Sequence, residues 1–511
     1  MKLSTIFDFN KIQFDKENEV ILMTSLKAPK IKEDKSRPPL NLSLVLDVSG
    51  SMGGRKLHNL KDSVTKLIQQ LSDKDTVGIV TFTDYIEEVF PSCKMSPKNK
   101  AKALSEVNNL SSKFMTNMSG GMFKGFEQLK KADLKKGTVH RMLLFTDGHA
   151  NVGLNTQEQF SEMVKTQIGE SNITISTFGY GEDHDDNILK NIAEMGKGNF
   201  YFIENVEDMA KTFARELGGL LSCYAQNITL ELILKDKSGE LIDVLNDFSV
   251  HSDSESHAKI DLDDIYSEEE KHILVKMKLN PVTKAVTQRK NSIVDIKVTY
   301  NDMTSKGKTK GILEKAKIYF VKKEKIQKEI EVEVEAQLAI IKLAEAHKKA
   351  REYADKGDYI SAQNCYVDVR GCIGELGTKG PAGEAYAESL TSSTSYAINN
   401  LTASNYTKGA GMKLNSMCRG LSTGRLTDDE LGGLYGNSTQ KEMEKEFTSG
   451  TVQVDNSSPI SSGDIAFNIN TTSNTCHTAI TSPDDFKNTT VASTDSNTNK
   501  KSKLSKRRKG R

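Results

Sequence analysis

Leu42-Ser43-Leu44-Val45-Leu46-Asp47-Val48-Ser49-Gly50-Ser51-Met52-Gly53-Gly54 is an apolar run that stops at an acid, followed by two hydroxyls two residues apart and a glycine pair. A run apolar in both side-chain directions suits a strand covered on both faces, which is the environment of a parallel sheet flanked by helices. Four further runs share this character: TVGIVTF (76–82), RMLLFT (141–146), NITISTF (172–178) and NFYFI (199–203). Between the first two strands, Leu57, Leu60, Val64, Leu67 and Leu71 recur at spacings of three and four, which keeps one helical face against a sheet. Helical patterns at 119–131, 156–168, 185–195 and 206–220 complete an alternation of strand and helix. That alternation predicts a doubly wound, mostly parallel α/β domain over residues 41–222.

Outward from this domain the texture changes twice. Residues 223–322 hold alternating stretches such as NITLELIL, HILVKMKL and SIVDIKVTY, which predict a β-sandwich. Residues 1–40 bear strand-like segments that could join it. Residues 323–448 turn helical, with Ala336, Ile340, Leu343, His347, Ala350 and Ala354 on one stripe and a turn at Asp355–Tyr359, the pattern of a coiled coil or helical hairpin. His347 stands alone on that stripe and reads as a packed core histidine rather than a ligand. From residue 449 the chain is rich in Ser, Thr and Asn and reads as a disordered tail.

Composition narrows the function. The 511 residues are 36% hydrophobic and 27% charged, enough to build buried cores. Lys plus Arg is 70 against 69 for Asp plus Glu, so the chain as a whole does not read as a polyanion binder. The segment Lys500–Arg511 carries eight of those cations and no acid, leaving −7 of the net +1 on the remainder. It reads either as a solvated end or as a nuclear-import or anionic-surface patch, the one place where nucleic acid could bind. No run approaches the ~20 apolar residues of a membrane span, and no apolar stretch precedes Asp8 that would serve as a secretory signal. The six cysteines are scattered and never paired as CxxC, which argues for reduced thiols and against a zinc ribbon or RING. A cytoplasmic or nuclear location is the expectation.

The loop after Asp47 offers oxygen ligands of the kind a hard divalent cation takes, and it lies beyond the carboxyl end of a strand, where open α/β sheets bind ligands. Taken alone, it reads equally well as a turn in which Ser49 and Ser51 cap the next helix. The loop does not fit a nucleophile elbow GxSxG, and no phosphate loop GxxxxGK[ST] occurs. Two further features tip the balance: Thr116 in Phe114-Met115-Thr116-Asn117-Met118-Ser119-Gly120-Gly121, and Asp147 at the end of Leu143-Leu144-Phe145-Thr146-Asp147-Gly148. An acid ending an apolar strand is desolvated and needs a cation or donors to compensate it.

DVSGSM, TNMSGG and LLFTDG in this order and spacing resemble a von Willebrand factor type A domain. The resemblance extends through residues 178–222 and, in layout, to intracellular and bacterial type A proteins with a sandwich and a helical extension. It implies a metal-ion-dependent adhesion site in which Ser49, Ser51 and Thr116 supply hydroxyls and Asp47 and Asp147 the acids. Such a site would hold Mg²⁺ or Mn²⁺ and coordinate an Asp or Glu of a partner protein, with no catalysis. Sliding of the last helix, about 206–220, is also implied. Similar domains often carry glycines just before the threonine, where Phe114 and Met115 stand here. Some plant relatives with this layout are RING ubiquitin ligases; a component lacking its RING, or a scaffold with a structural metal, are the alternatives. An enzyme would have to use His149 beside the site, or the cluster Asp183-His184-Asp185-Asp186.

Overall fold

Leu40–Asp47, buried at all eight residues, is a central strand of a six-stranded sheet. The structure is a computed structural model that describes residues 1–31, 37–113, 115–131, 135–148, 150–169, 171–182, 184–235, 237–283, 290–424 and 437–449. Phe114, His149, Asp183 and the Ser/Thr/Asn-rich tail with its basic end lie outside the described residues. The strands run in the order Ile86–Lys94, Thr76–Phe82, Leu40–Asp47, Val139–Thr146, Ile173–Tyr180, Lys197–Ile203. Every neighbouring pair is parallel except at the edge, where Ile86–Lys94 returns antiparallel along Thr76–Phe82. That edge strand and the helix Pro97–Asn108 lie between the first two helical patterns read from the sequence and were not among them.

Helices cover both faces. The Leu57–Leu71 stripe of Arg55–Gln70 packs one face together with Phe213 and Leu217 of Val206–Leu221. Met118–Lys131, Gln157–Ile168 and Asp186–Met195 pack the other through Met122, Phe126, Phe160 and Leu189. From Leu40–Asp47 the chain first adds a strand on one side, then continues with Val139–Thr146 on the other. The sheet order therefore reverses between these two strands, and their carboxyl ends flank the crevice that such a reversal opens.

A β-sandwich follows. One sheet pairs Lys2–Phe7, Asn18–Lys27, Glu270–Leu279 and Gly239–Val244; the other contains Cys223–Leu234, Lys290–Asp302, Lys308–Val321 and the short strand Lys11–Gln13. The N-terminal segment thus contributes strands to both sheets. Alternation explains the placement: Val20, Leu22 and Leu26, with Ile273 and Val275 of the neighbouring strand, point into the core that Leu230 and Leu232 fill from the facing sheet.

The helical region is larger than a hairpin. Val332–Ala354, Tyr359–Asn364, Val367–Leu376, Gly380–Asn400 and Lys408–Thr423 share one core. Ser438–Ser449 leaves that core and lies on the α/β domain, where Met443 and Phe447 join the cluster around Phe213. The five cysteines among the described residues form no disulfide, and no helix of the described residues is long and apolar enough to cross a membrane.

His347 is fully buried inside the helical core, its Nδ1 hydrogen-bonded to the Tyr366 hydroxyl at 2.7 Å. Burial pushes its pKa down to about 3. A base held neutral in the fold favours folding above its unfolded value of ~6.5, and that contribution is lost as pH falls from there toward 3. Between pH 7 and 4.5, wild type should lose about 2–3 kcal/mol more stability than His347→Gln, read as the drift of the urea midpoint. Parallel drift in the two proteins would show that His347 is not held neutral.

Candidate metal centre

Asp47 and Asp147 end adjacent strands and are both fully buried. Two carboxylates at the same end of a sheet, away from water, repel each other and lose hydration. Burial is the main cause that pushes the Asp47 carboxyl up to about 6, and the Asp147 charge adds to it. Hydrogen bonds work in the opposite direction. The Ser49 backbone N–H donates to one Asp47 oxygen at 2.8 Å and the Thr146 hydroxyl to the other at 2.5 Å.

The loop after Asp47 makes a single 3₁₀ turn, Gly50–Met52, closed by Met52 N–H to the Ser49 carbonyl. Gly54 then takes φ 73°, a left-handed conformation that glycine adopts without a Cβ penalty, and the chain turns into Arg55–Gln70. That helix has Gly54 as its N-cap and no side-chain cap, so neither serine hydroxyl caps it. Instead the Ser49 and Ser51 hydroxyls lie 3.1 Å apart, and Ser51 donates to an Asp147 oxygen at 2.7 Å.

Thr116 enters from the third loop. The Lys113 N–H donates to the Val48 carbonyl, the Asn117 N–H to the Thr83 carbonyl, and the Thr116 carbonyl accepts from Asn151 and Val152. These bonds tie Lys113, Thr116 and Asn117 between the Asp47 loop and the Asp147 loop. A Cβ built on Gly148 would sit 3.9 Å from both the Ser51 and the Thr116 hydroxyl oxygens, so the two converge over the Asp147 turn. All five residues singled out in the sequence are therefore gathered at one end of the sheet.

Two participants were not foreseen. Thr146 anchors Asp47, and Lys56 places its ammonium 2.5 Å from the second Asp147 oxygen and 5.3 Å from the centre of the Tyr180 ring. A lysine in the first turn of a helix opposes the helix dipole. That mismatch in Arg55-Lys56 is the signal by which the sequence could have disclosed it.

The donor set fits a hard cation. Two buried acids and three hydroxyls converge, neither serine hydroxyl caps the following helix, and a cationic side chain is already drawn onto one acid. Among the described residues no three of His, Cys, Asp or Glu cluster as a metal site. Two members of the second polar cluster, Asp185 and Asp186, are committed to structure. Asp185 caps Asp186–Met195 through the Asn187 and Ile188 N–H groups, and Asp186 is held by both Arg351 amino groups and by Asn415.

Residues 41–215 match the von Willebrand factor type A domain family, and the chain carries that domain. It is 29% identical over 218 residues to the uncharacterized protein YfbK of Escherichia coli strain K12, a match covering 42% of this chain and 37% of that protein. It is 29% identical over 160 residues to human inter-alpha-trypsin inhibitor heavy chain H3, covering 30% and 18% respectively. The matches thus span well under half of these relatives' lengths. The fold resembles a von Willebrand factor type A protein from Catenulispora acidiphila, with TM-score 0.61 at 16% identity over 81% of this chain and 96% of that one.

Lys56→Met would leave the Asp147 charge without its ammonium. Scanning calorimetry should show a metal-free Tm lower by about 2–4 °C, a partly exposed pair being worth ~1 kcal/mol. The gain in Tm on adding MgCl₂ should be larger than in wild type. If MgCl₂ moves neither Tm, no cation is taken up at this site.

Proposed function

We propose that the type A domain is a metal-dependent protein-binding module rather than a catalyst, and that Asp47, Ser49, Ser51, Thr116 and Asp147 hold Mg²⁺ or Mn²⁺. Type A domains are often metal-dependent interaction modules, which is the family's support for this reading. The observation that carries it is the pair of buried carboxylates beneath hydroxyls not engaged in helix capping. A bound ion would supply an open coordination position suited to an Asp or Glu of a partner.

The chain's own residues do the rest. Thr146 and the Ser49 amide fix both oxygens of Asp47, so that carboxylate is oriented before any ion arrives. Ser51 is exposed while Ser49 and Thr116 are buried, which leaves the site open to solvent on the Ser51 side. Lys56 partly neutralises Asp147, which keeps the acids from repelling an incoming carboxylate. A general base beside this set would be needed for hydrolysis; Asp185 and Asp186 are occupied elsewhere.

The test is pull-down and calorimetry with wild type and Asp47→Ala, each in Mg²⁺ and in EDTA. Wild type should take up the ion and retain a partner only with Mg²⁺. The variant should lose both, with partner affinity down by a factor of about 30 or more, the effect of removing one member of a buried charge pair. A partner held equally well in EDTA would favour the scaffold alternative.

A further inference from the structure

Met115 breaks a backbone rule beside the candidate site. It takes φ 57°, in the left-handed region that disfavours side chains other than Gly, Asn and Asp, and it is 52% exposed. Directly before Thr116 the chain thus places a long apolar side chain in water on a strained backbone. Folding stability does not call for that choice, since glycine would fit the same turn at lower cost.

A second exposed apolar side chain stands on the same rim. Tyr85, 78% exposed, sits in the turn in which the Thr83 N–H donates to the Tyr85 carbonyl and Tyr85 N–H to the Thr83 hydroxyl. The Thr83 carbonyl in turn accepts from Asn117 N–H at 2.7 Å. Lys113 reaches Glu87 at 3.0 Å, so Lys113 and Asn117 tie to Glu87 and Thr83 at both ends of the rim. Single exposed apolar residues are ordinary on a protein surface. Two that flank a converging set of acids and hydroxyls, one of them held in strain, are a different matter.

Resting on the metal-dependent reading above, the geometry points to a recognition surface for an acidic residue flanked by a bulky apolar one. The partner carboxylate would go to the site, where Lys56 adds positive charge. Met115 and Tyr85 would cover the neighbouring aliphatic or aromatic side chain. Apolar anchors beside a desolvated charge contact are the usual source of binding energy in an interface, and methionine adapts to varied shapes. The occupant is thus an extended or loop segment of another protein with an Asp or Glu next to a large apolar residue.

The experiment is selection of a displayed library of random peptides, each with one fixed Asp or Glu, on the full chain in MgCl₂. Peptides enriched on wild type should release in EDTA and carry Leu, Ile, Met, Phe, Tyr or Trp within three positions of the acid. Met115→Gly relieves the strained turn, so it keeps the fold, and Met115→Asn retains a residue that tolerates left-handed backbone. Both, and Tyr85→Ala, should take up Mg²⁺ with unchanged affinity in calorimetry yet bind the selected peptides about five- to tenfold more weakly, a loss of roughly one apolar contact. Metal-dependent peptides without an apolar preference, or equal binding by the three variants, would overturn this inference and leave the metal reading standing. Failure of every peptide to respond to EDTA would overturn that reading, and this inference with it.

Discussion

Two carboxylates brought to the same end of neighbouring buried strands are the constraint from which this architecture proceeds. Leu46 and Phe145 are in register, so Asp47 ends its strand opposite Thr146 and Asp147 follows one residue beyond, both acids fully buried. Each nearby feature answers that problem. Thr146 and the Ser49 amide donate to Asp47; Ser51 and Lys56 donate to Asp147. Gly54 allows the sharp turn that brings Lys56 back over the sheet. A crevice at a sheet's reversal point collects such groups because the loops from both directions open there.

The sandwich and helices brace the α/β domain rather than hang from it. Arg141, fully buried, donates to Ser176 and to Asp264 at 2.9 Å, joining the parallel sheet to the β-region. Glu216 of the last α/β helix accepts from Ser176, Asn199 and Tyr201 at 2.7–2.9 Å. The helix Ser438–Ser449 then crosses that same helix and Arg55–Gln70, through Arg215–Glu444 at 2.8 Å and Lys66 to the Phe447 carbonyl. The helix carrying Lys56 is therefore held at its far end by the last described helix of the chain. Any sliding of Val206–Leu221, which the family resemblance implies, would have to break the Glu216 and Arg215 contacts.

How far the sequence discloses this depends on where each signal is local. The five parallel strands were legible because burial on both faces forces continuous apolar runs. The edge strand Ile86–Lys94 was not, because it is half exposed and interrupted by Pro91, so its IEEVFPSCK pattern resembles a loop. The acids and hydroxyls were legible as residues at strand ends and in Gly-bearing loops; that Ser51 and Thr116 converge on the Gly148 turn is a tertiary fact no spacing encodes. The Ser438–Ser449 helix carries Met443 and Phe447 in a mostly polar sequence, and nothing local says that they dock onto another domain. Met115 was visible as a departure from glycine, but the cost of that departure appears only in its φ.

Charge counting then constrains what the site can accept. Asp47 and Asp147 carry two negative charges when ionised, and Lys56 returns one. A dication in the proposed seat would leave a single positive charge above two buried acids, which an outside anion arriving from the open Ser51 side would offset. The ion and an acidic partner would therefore stabilise each other, and each would bind the isolated chain less firmly than the pair does. Without Lys56 the ion alone would neutralise the acids and the partner's carboxylate would have less to gain. The lysine in the first helical turn, awkward for the helix, is on this account what makes the site ask for a partner.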